Sequence, residues 1–163
     1  MSREMSDSER CHAAAVRLLE YRFRARVELR RKLEERDFEP PVIEETLARL
    51  EDEGWLDDVR FAREIARSKA RKGVGPKRIA LVLRGFGVDD ESARAGMAEA
   101  AEEEPPEDRL QETVRKRMRI LARRHGEEWL REPEGRKKLL AYLLQQGYEY
   151  AAVTAALDSE LRK

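Results

Sequence analysis

The chain has 163 residues, of which 42 % are charged and only 6 % aromatic, and its formal net charge is zero. So small a supply of aromatic and β-branched residues argues against a sheet and for small helical units sharing thin cores of Leu, Ile, Val and Ala. The neutral total excludes a generic polyanion binder, and the single cysteine, Cys11, excludes an internal disulfide.

Residues 1–9 carry no periodicity and read as a flexible tail. From about Arg10, the residues Ala13, Val16, Leu19 and Phe23 mark an amphipathic helix, the first of a three-helix unit over residues 10–54. Leu29 and Leu33, then Phe38, then Ile43 and Leu47 predict a short helix, a tight turn and another helix. Asp37 stands where the first of these must stop and tolerates the left-handed conformation, while Pro41 suits the first turn of the next. Glu44 and Glu45 then sit near the positive end of that helix.

A second unit covers residues 55–98. Asp57 is a natural N-cap for a helix carrying Phe61 and Ile65 that stops at Gly73, and Gly75 and Pro76 open the helix of Ile79 and Leu83. The unit closes near Met97. The acidic stretch with two prolines that follows reads as a linker over residues 99–108. A third unit, residues 109–163, begins with a helix carrying Leu110, Val114, Met118 and Leu121, which Gly126 ends. A loop holding Trp129, Leu130 and Pro133 leads to the helix of Leu139 and Leu143. Trp129 is expected to anchor that loop by packing, and Trp55 to plug the seam between the first two units.

The three units share one template. Leu29, Leu33, Phe38, Ile43 and Leu47 recur at the same offsets as Ile79, Leu83, Val88, Ala93 and Met97, and again as Leu139, Leu143, Tyr148, Val153 and Leu157. The residue before each turn hydrophobe is Asp37, Gly87 or Gly147, all types that accept positive φ, and the residue after it is Glu39, Asp89 or Glu149. Agreement at the turn and acid positions as well as the apolar ones predicts an all-α protein of three tandem three-helix repeats, each a helix-turn-helix-like unit.

Charge alternates in blocks. Residues 17–36 carry eight basic and four acidic side chains, residues 37–58 one and nine, and residues 60–84 nine and one. Residues 89–108 return to one basic and nine acidic, and residues 109–138 carry eleven and five. Arg60, Arg63, Arg67 and Arg71 fall on one stripe away from Phe61 and Ile65. Arg22, Arg26 and Arg30 form another if one helix is continuous there, and Arg115, Arg119 and Arg123 are likewise spaced by four. Two readings are open at this point. Either acids of one helix neutralise the arginines of its neighbour, or the stripes meet phosphates or an acidic protein surface.

Catalytic chemistry is not indicated. His12 and His125 are the only histidines, and there is no phosphate-cradling glycine loop and no zinc spacing; the pair Asp57 and Asp58 reads as a helix start rather than a metal site. No enzyme activity, cofactor or metal is expected. With neither an apolar leader nor a long apolar run, the chain is expected in the cytoplasm, away from membranes.

The segments RARVELRRKLEER, GWLDDVRFA and KGVGPKRIALVLRGFGV resemble the RecX family, bacterial regulators of the RecA recombinase, and the resemblance runs from about Ala13 to Leu157. It implies tandem three-helix repeats forming an elongated, curved body. It also implies a monomeric, non-enzymatic regulator of DNA repair, recombination and the SOS response that binds the RecA nucleoprotein filament. Such a regulator hinders filament extension, ATP hydrolysis, strand exchange and coprotease action, with some binding to single- or double-stranded DNA. The alternative from another class is a stand-alone helical DNA-binding regulator, each unit laying a basic helix against a duplex.

Overall fold

The computed structural model describes residues 4–163. Among them are nine α-helices, a 3-10 helix and no strand, as composition and periodicity predict. The helices are α1 (Asp7–Tyr21), α2 (Arg26–Glu34), α3 (Pro40–Asp52), α4 (Asp58–Arg71), α5 (Pro76–Gly85), α6 (Asp90–Glu103), α7 (Pro106–His125), α8 (Pro133–Gln145) and α9 (Tyr150–Leu161), with the 3-10 helix at Glu128–Arg131 between α7 and α8. No helix among these residues is long and apolar enough to cross a membrane.

Two element boundaries differ from expectation, each for a local reason. Of the expected tail, residues 1–3 lie outside the described residues, but residues 7–9 form the first turn of α1. Ser6 caps that turn: its hydroxyl accepts from the Glu9 amide at 3.2 Å while the Glu9 carboxylate accepts from the Ser6 amide at 2.8 Å. The expected linker over residues 99–108 is helical on both sides of a short break. Alanine and glutamate propagate α6 to Glu103, and Pro106 opens α7 at once.

The turn chemistry follows the template. Asp37, Gly87 and Gly147 have φ of 62°, 78° and 95°. Of the fifteen template hydrophobes, all but Phe38 and Met97 are buried, and Leu33, Leu83 and Leu143 are each 0 % exposed. Truncating any of these three to alanine would cost roughly 2–5 kcal/mol.

The chain forms two compact units, residues up to Ala62 with Leu83–Gly96, and Arg63–Val82 with Met97 onward. In the first, α1 and α2 pack on α3 around Cys11, Ala15, Leu29, Leu33, Ile43, Leu47 and Leu50. Burial raises the Cys11 thiol above its ordinary value, which suits a core residue rather than a nucleophile. In the second unit, α7, α8 and α9 enclose Leu110, Val114, Leu121, Leu139, Leu143, Val153 and Leu157. Trp129 packs partly buried against this core and stacks on His125 at 4.2 Å, the anchoring role expected of it. Trp55 is no plug: it is 39 % exposed, and Leu56, turned inward after Gly54 at φ 77°, takes the buried place.

Within each unit the second helix of one repeat is capped by the repeat that follows. The first amide of α2, at Arg26, donates to the Asp58 carboxylate at 2.9 Å, and the turn at Gly87 lies against Val27. At the start of α5, the Gly75 and Lys77 amides donate to the Gln146 and Gly147 carbonyls at 2.7 and 3.1 Å. Amides at a helix start have no intrahelical partner, so these contacts satisfy donors that burial would otherwise orphan.

Candidate interaction surface

The helices place the ten candidate arginines in three different situations. Arg22, Arg26 and Arg30 do not share a stripe, because α1 ends at Tyr21 and Arg22 is extended, with φ −163° and ψ 160°. The break is held by Arg24, buried against the Leu18 carbonyl and paired with Glu28, which Arg22 also reaches. Arg26 pairs with Glu51 at 2.6 Å and with Glu44 at 3.2 Å, and Arg30 with Glu44 at 2.7 Å. The Arg30 hydrogen bond holds the Glu44 carboxyl below the usual carboxylate range.

The α4 stripe is covered as well, by the residues expected in a linker. Arg63 meets Glu99 at 3.4 Å, Arg67 meets Glu103 at 3.2 Å, and Arg71 meets Glu104 at 2.7 Å. The first two rungs advance by four residues on both helices, so α6 lays its carboxylates along α4 one turn at a time. Glu104 is held below its ordinary range chiefly by Arg71 and is shared with Arg109. Arg60 turns away from this ladder, with its guanidinium 4.8 Å from the Phe23 ring and donating to the Gly54 carbonyl. The four-residue spacing of Glu99 and Glu103, matching that of Arg63 and Arg67, is the signal in the sequence for this pairing.

On α7, Arg115 is committed to Glu160 at 3.0 Å and Lys116 to Glu112 at 2.8 Å. Arg117 stacks over Tyr142 at 4.3 Å. Arg119 and Arg123 are exposed, and among the described residues neither forms an ion pair with a carboxylate. Arg119 lines a groove of about 460 Å³ together with Arg115, Lys116 and Arg131. Of its acids, Glu112 and Glu160 are already paired, which leaves one lining carboxylate, Glu127, for Arg119 and Arg131. Ile120, 57 % exposed, extends this face as an apolar neighbour.

Among the described residues no group of three His, Cys, Asp or Glu side chains is placed to hold a metal ion. Asp57 acts as the N-cap expected of it, accepting from the Arg60 amide at 3.0 Å.

Two domain models match in tandem: RecX, first three-helix domain, over residues 11–50, and RecX, second three-helix domain, over residues 57–97. A regulatory protein RecX of Xanthomonas axonopodis pv. citri is 35% identical over 147 residues, covering 90% of this chain and 85% of that protein. This chain belongs to the RecX family. The regulatory protein RecX of a Mycobacterium species, strain KMS, is 33% identical over 159 residues, covering 97% of this chain and 85% of the relative. The crystal structure of RecX from Lactobacillus salivarius superposes with a TM-score of 0.79 at 25% identity, over 96% of this chain and 97% of that one. RecX likeness therefore extends through the third repeat and includes the helical architecture from end to end.

Proposed function

We propose that this chain is a regulator that binds the RecA nucleoprotein filament and restrains its extension, ATP hydrolysis, strand exchange and coprotease action, acting as a cytoplasmic monomer and catalysing no reaction itself. RecX membership supports the partner, and the difference between covered and free cations supports the contact surface. Arg26, Arg30, Arg63, Arg67 and Arg71 already have carboxylates, whereas among the described residues Arg119 and Arg123 form no ion pair. A free guanidinium offers its planar fork to a phosphate or carboxylate without first breaking an internal pair. The α7 face with Ile120 and the neighbouring groove is therefore assigned to the filament.

A titration of this protein into RecA on single-stranded DNA, with ATP hydrolysis as the readout, tests the reading. Native protein should suppress hydrolysis. Arg119→Glu with Arg123→Glu should raise the half-inhibitory concentration by about tenfold or more at an unchanged melting temperature, since each lost charge-assisted contact costs on the order of 1.5–3 kcal/mol. Absence of suppression by the native chain at any ratio, with the recombinase of the same organism, overturns the reading. The stand-alone DNA regulator, with each unit laying a basic helix on a duplex, is less well supported, because α2 and α4 face their own acids and, of the three candidate stripes, only that on α7 keeps arginines without an ion pair among the described residues.

A further inference from the structure

Two rungs of the α4–α6 ladder, Arg63–Glu99 and Arg67–Glu103, are looser than the third, in which Arg71 donates from Nε and a terminal nitrogen to Glu104 at 3.2 and 2.7 Å. Arg26, Arg30, Arg49 and Arg109 each donate from Nε to a carboxylate, at 2.6 to 2.8 Å. By contrast the Nε atoms of Arg63 and Arg67 are buried without a hydrogen-bond partner. Arg63 reaches Glu99 through one terminal nitrogen at 3.4 Å, and Arg67 approaches Glu103 at 3.2 Å without hydrogen-bond geometry. The remaining acid here, Glu64 of α4 itself, stands 3.4 Å from Arg63 and 3.5 Å from Arg67. These arginines thus have their charge neutralised while making, between them, one hydrogen bond to a carboxylate among the described residues, and each guanidinium supplies five donors.

The surroundings leave room for exchange. Glu99 and Glu103 are half exposed, at 48% and 44% of their side chains. Arg67 and Glu104 border a cavity of about 240 Å³ whose lining includes Ala66, Ala70, Ala100 and Ala101. Arg63, Arg67 and Arg71 rise by about 6 Å per step along one line. One row of cations fits one row of phosphates.

We propose that the α6 glutamates are an intramolecular stand-in for a phosphodiester strand: Glu99 and Glu103 cover Arg63 and Arg67 until single-stranded DNA displaces them. The inference rests on the nucleoprotein-filament reading, in which such a strand is present, and gives that reading a second, covered contact. Exchange replaces loose, single-point pairs by two-point phosphate contacts, and it makes strand binding a competition set within the protein.

Fluorescence anisotropy with a labelled oligo(dT) probe tests this at fixed salt. Glu99→Gln with Glu103→Gln should tighten binding by at least about threefold, as removal of the competitor frees two cations. Adding Arg63→Gln and Arg67→Gln to that variant should abolish the gain. A control, Glu102→Gln with Glu107→Gln, changes net charge equally but frees no arginine, and should bind as the native chain does. The proposal is overturned if the first variant keeps its helical signal and binds no more tightly, if the control gains as much, or if the gain appears with duplex probe rather than oligo(dT). Inhibition of RecA ATP hydrolysis by the native chain, measured in parallel, shows separately whether the filament reading stands.

Discussion

The turns at Gly87 and Gly147 occupy the same place in the second and third repeats, share positive φ, and face different obstacles. A Cβ at Gly87 would meet the Val27 side chain, its Cβ at 2.8 Å and Cγ1 at 2.9 Å. A Cβ at Gly147 would meet the backbone of α5, Arg78 N at 2.6 Å, as well as Arg78 Cβ at 2.6 Å. Asp37, their counterpart in the first repeat, carries an exposed side chain at φ 62°. One turn design therefore serves three roles: a free turn, a turn against a side chain, and a turn against a helix backbone. Local conformation asks for a residue tolerant of positive φ, and only the neighbouring repeat asks for the absence of a side chain.

The largest effect should come from Gly147→Ala. Left-handed strain of about 1–2 kcal/mol adds to overpacking of about 1–3 kcal/mol, and the Gly75 and Lys77 amide bonds to this turn must lengthen. A loss of roughly 2–5 kcal/mol in denaturant unfolding is expected, and Arg78→Ala should not relieve it because the backbone remains. Gly87→Ala should cost less, about 1–3 kcal/mol, because Val27 is partly exposed and can give way. Val27→Ala should recover part of that loss by removing both γ carbons. Equal costs for the two glycines, or no rescue by Val27→Ala, would break the comparison.

Asp58 sharpens it through pH. Burial, aided by Asp89 and Glu51, raises the Asp58 carboxyl above its ordinary value against the opposing pull of the Arg26 amide and guanidinium. The folded state then binds this proton more tightly than the unfolded chain does. The contribution is complete below the unfolded carboxylate pKa and is lost as pH rises through the higher folded value. Asp58→Asn keeps an acceptor for the Arg26 amide, so its melting temperature relative to the native chain should climb between acidic and neutral pH. The joint at Gly147 is made by backbone carbonyls and should show no such dependence. The smallest effect is expected for Asp37→Gly, within about 1 kcal/mol, since relief of left-handed strain offsets the greater freedom of glycine in the unfolded chain.

Much of the fold was legible from one sequence because helix periodicity and turn chemistry are local. Leu33, Leu83 and Leu143 could be named as equivalents before any coordinates, since a five-point apolar template with matched turn residues leaves few arrangements. The candidate surface was less legible. A block of arginines such as Arg63, Arg67 and Arg71 looks the same whether carboxylates lie over it or not, and residues 99–103, rich in alanine and glutamate but close to two prolines, were read as linker rather than helix. Arg22 lines up with Arg26 and Arg30 only if one helix is continuous there, and spacing by four is silent about a break held by one buried arginine, Arg24.

What the sequence determined by itself was therefore the helical class, the threefold template, the positive-φ turns and membership in a recognisable family, all carried by residues within a few turns of one another. The tertiary structure alone decided which charges cancel and why Gly87 and Gly147 cannot carry a side chain. Electrostatic cover and close packing depend on groups distant in the chain, such as Glu99 over Arg63 or Arg78 against Gly147, and their distances are set only when the repeats stack.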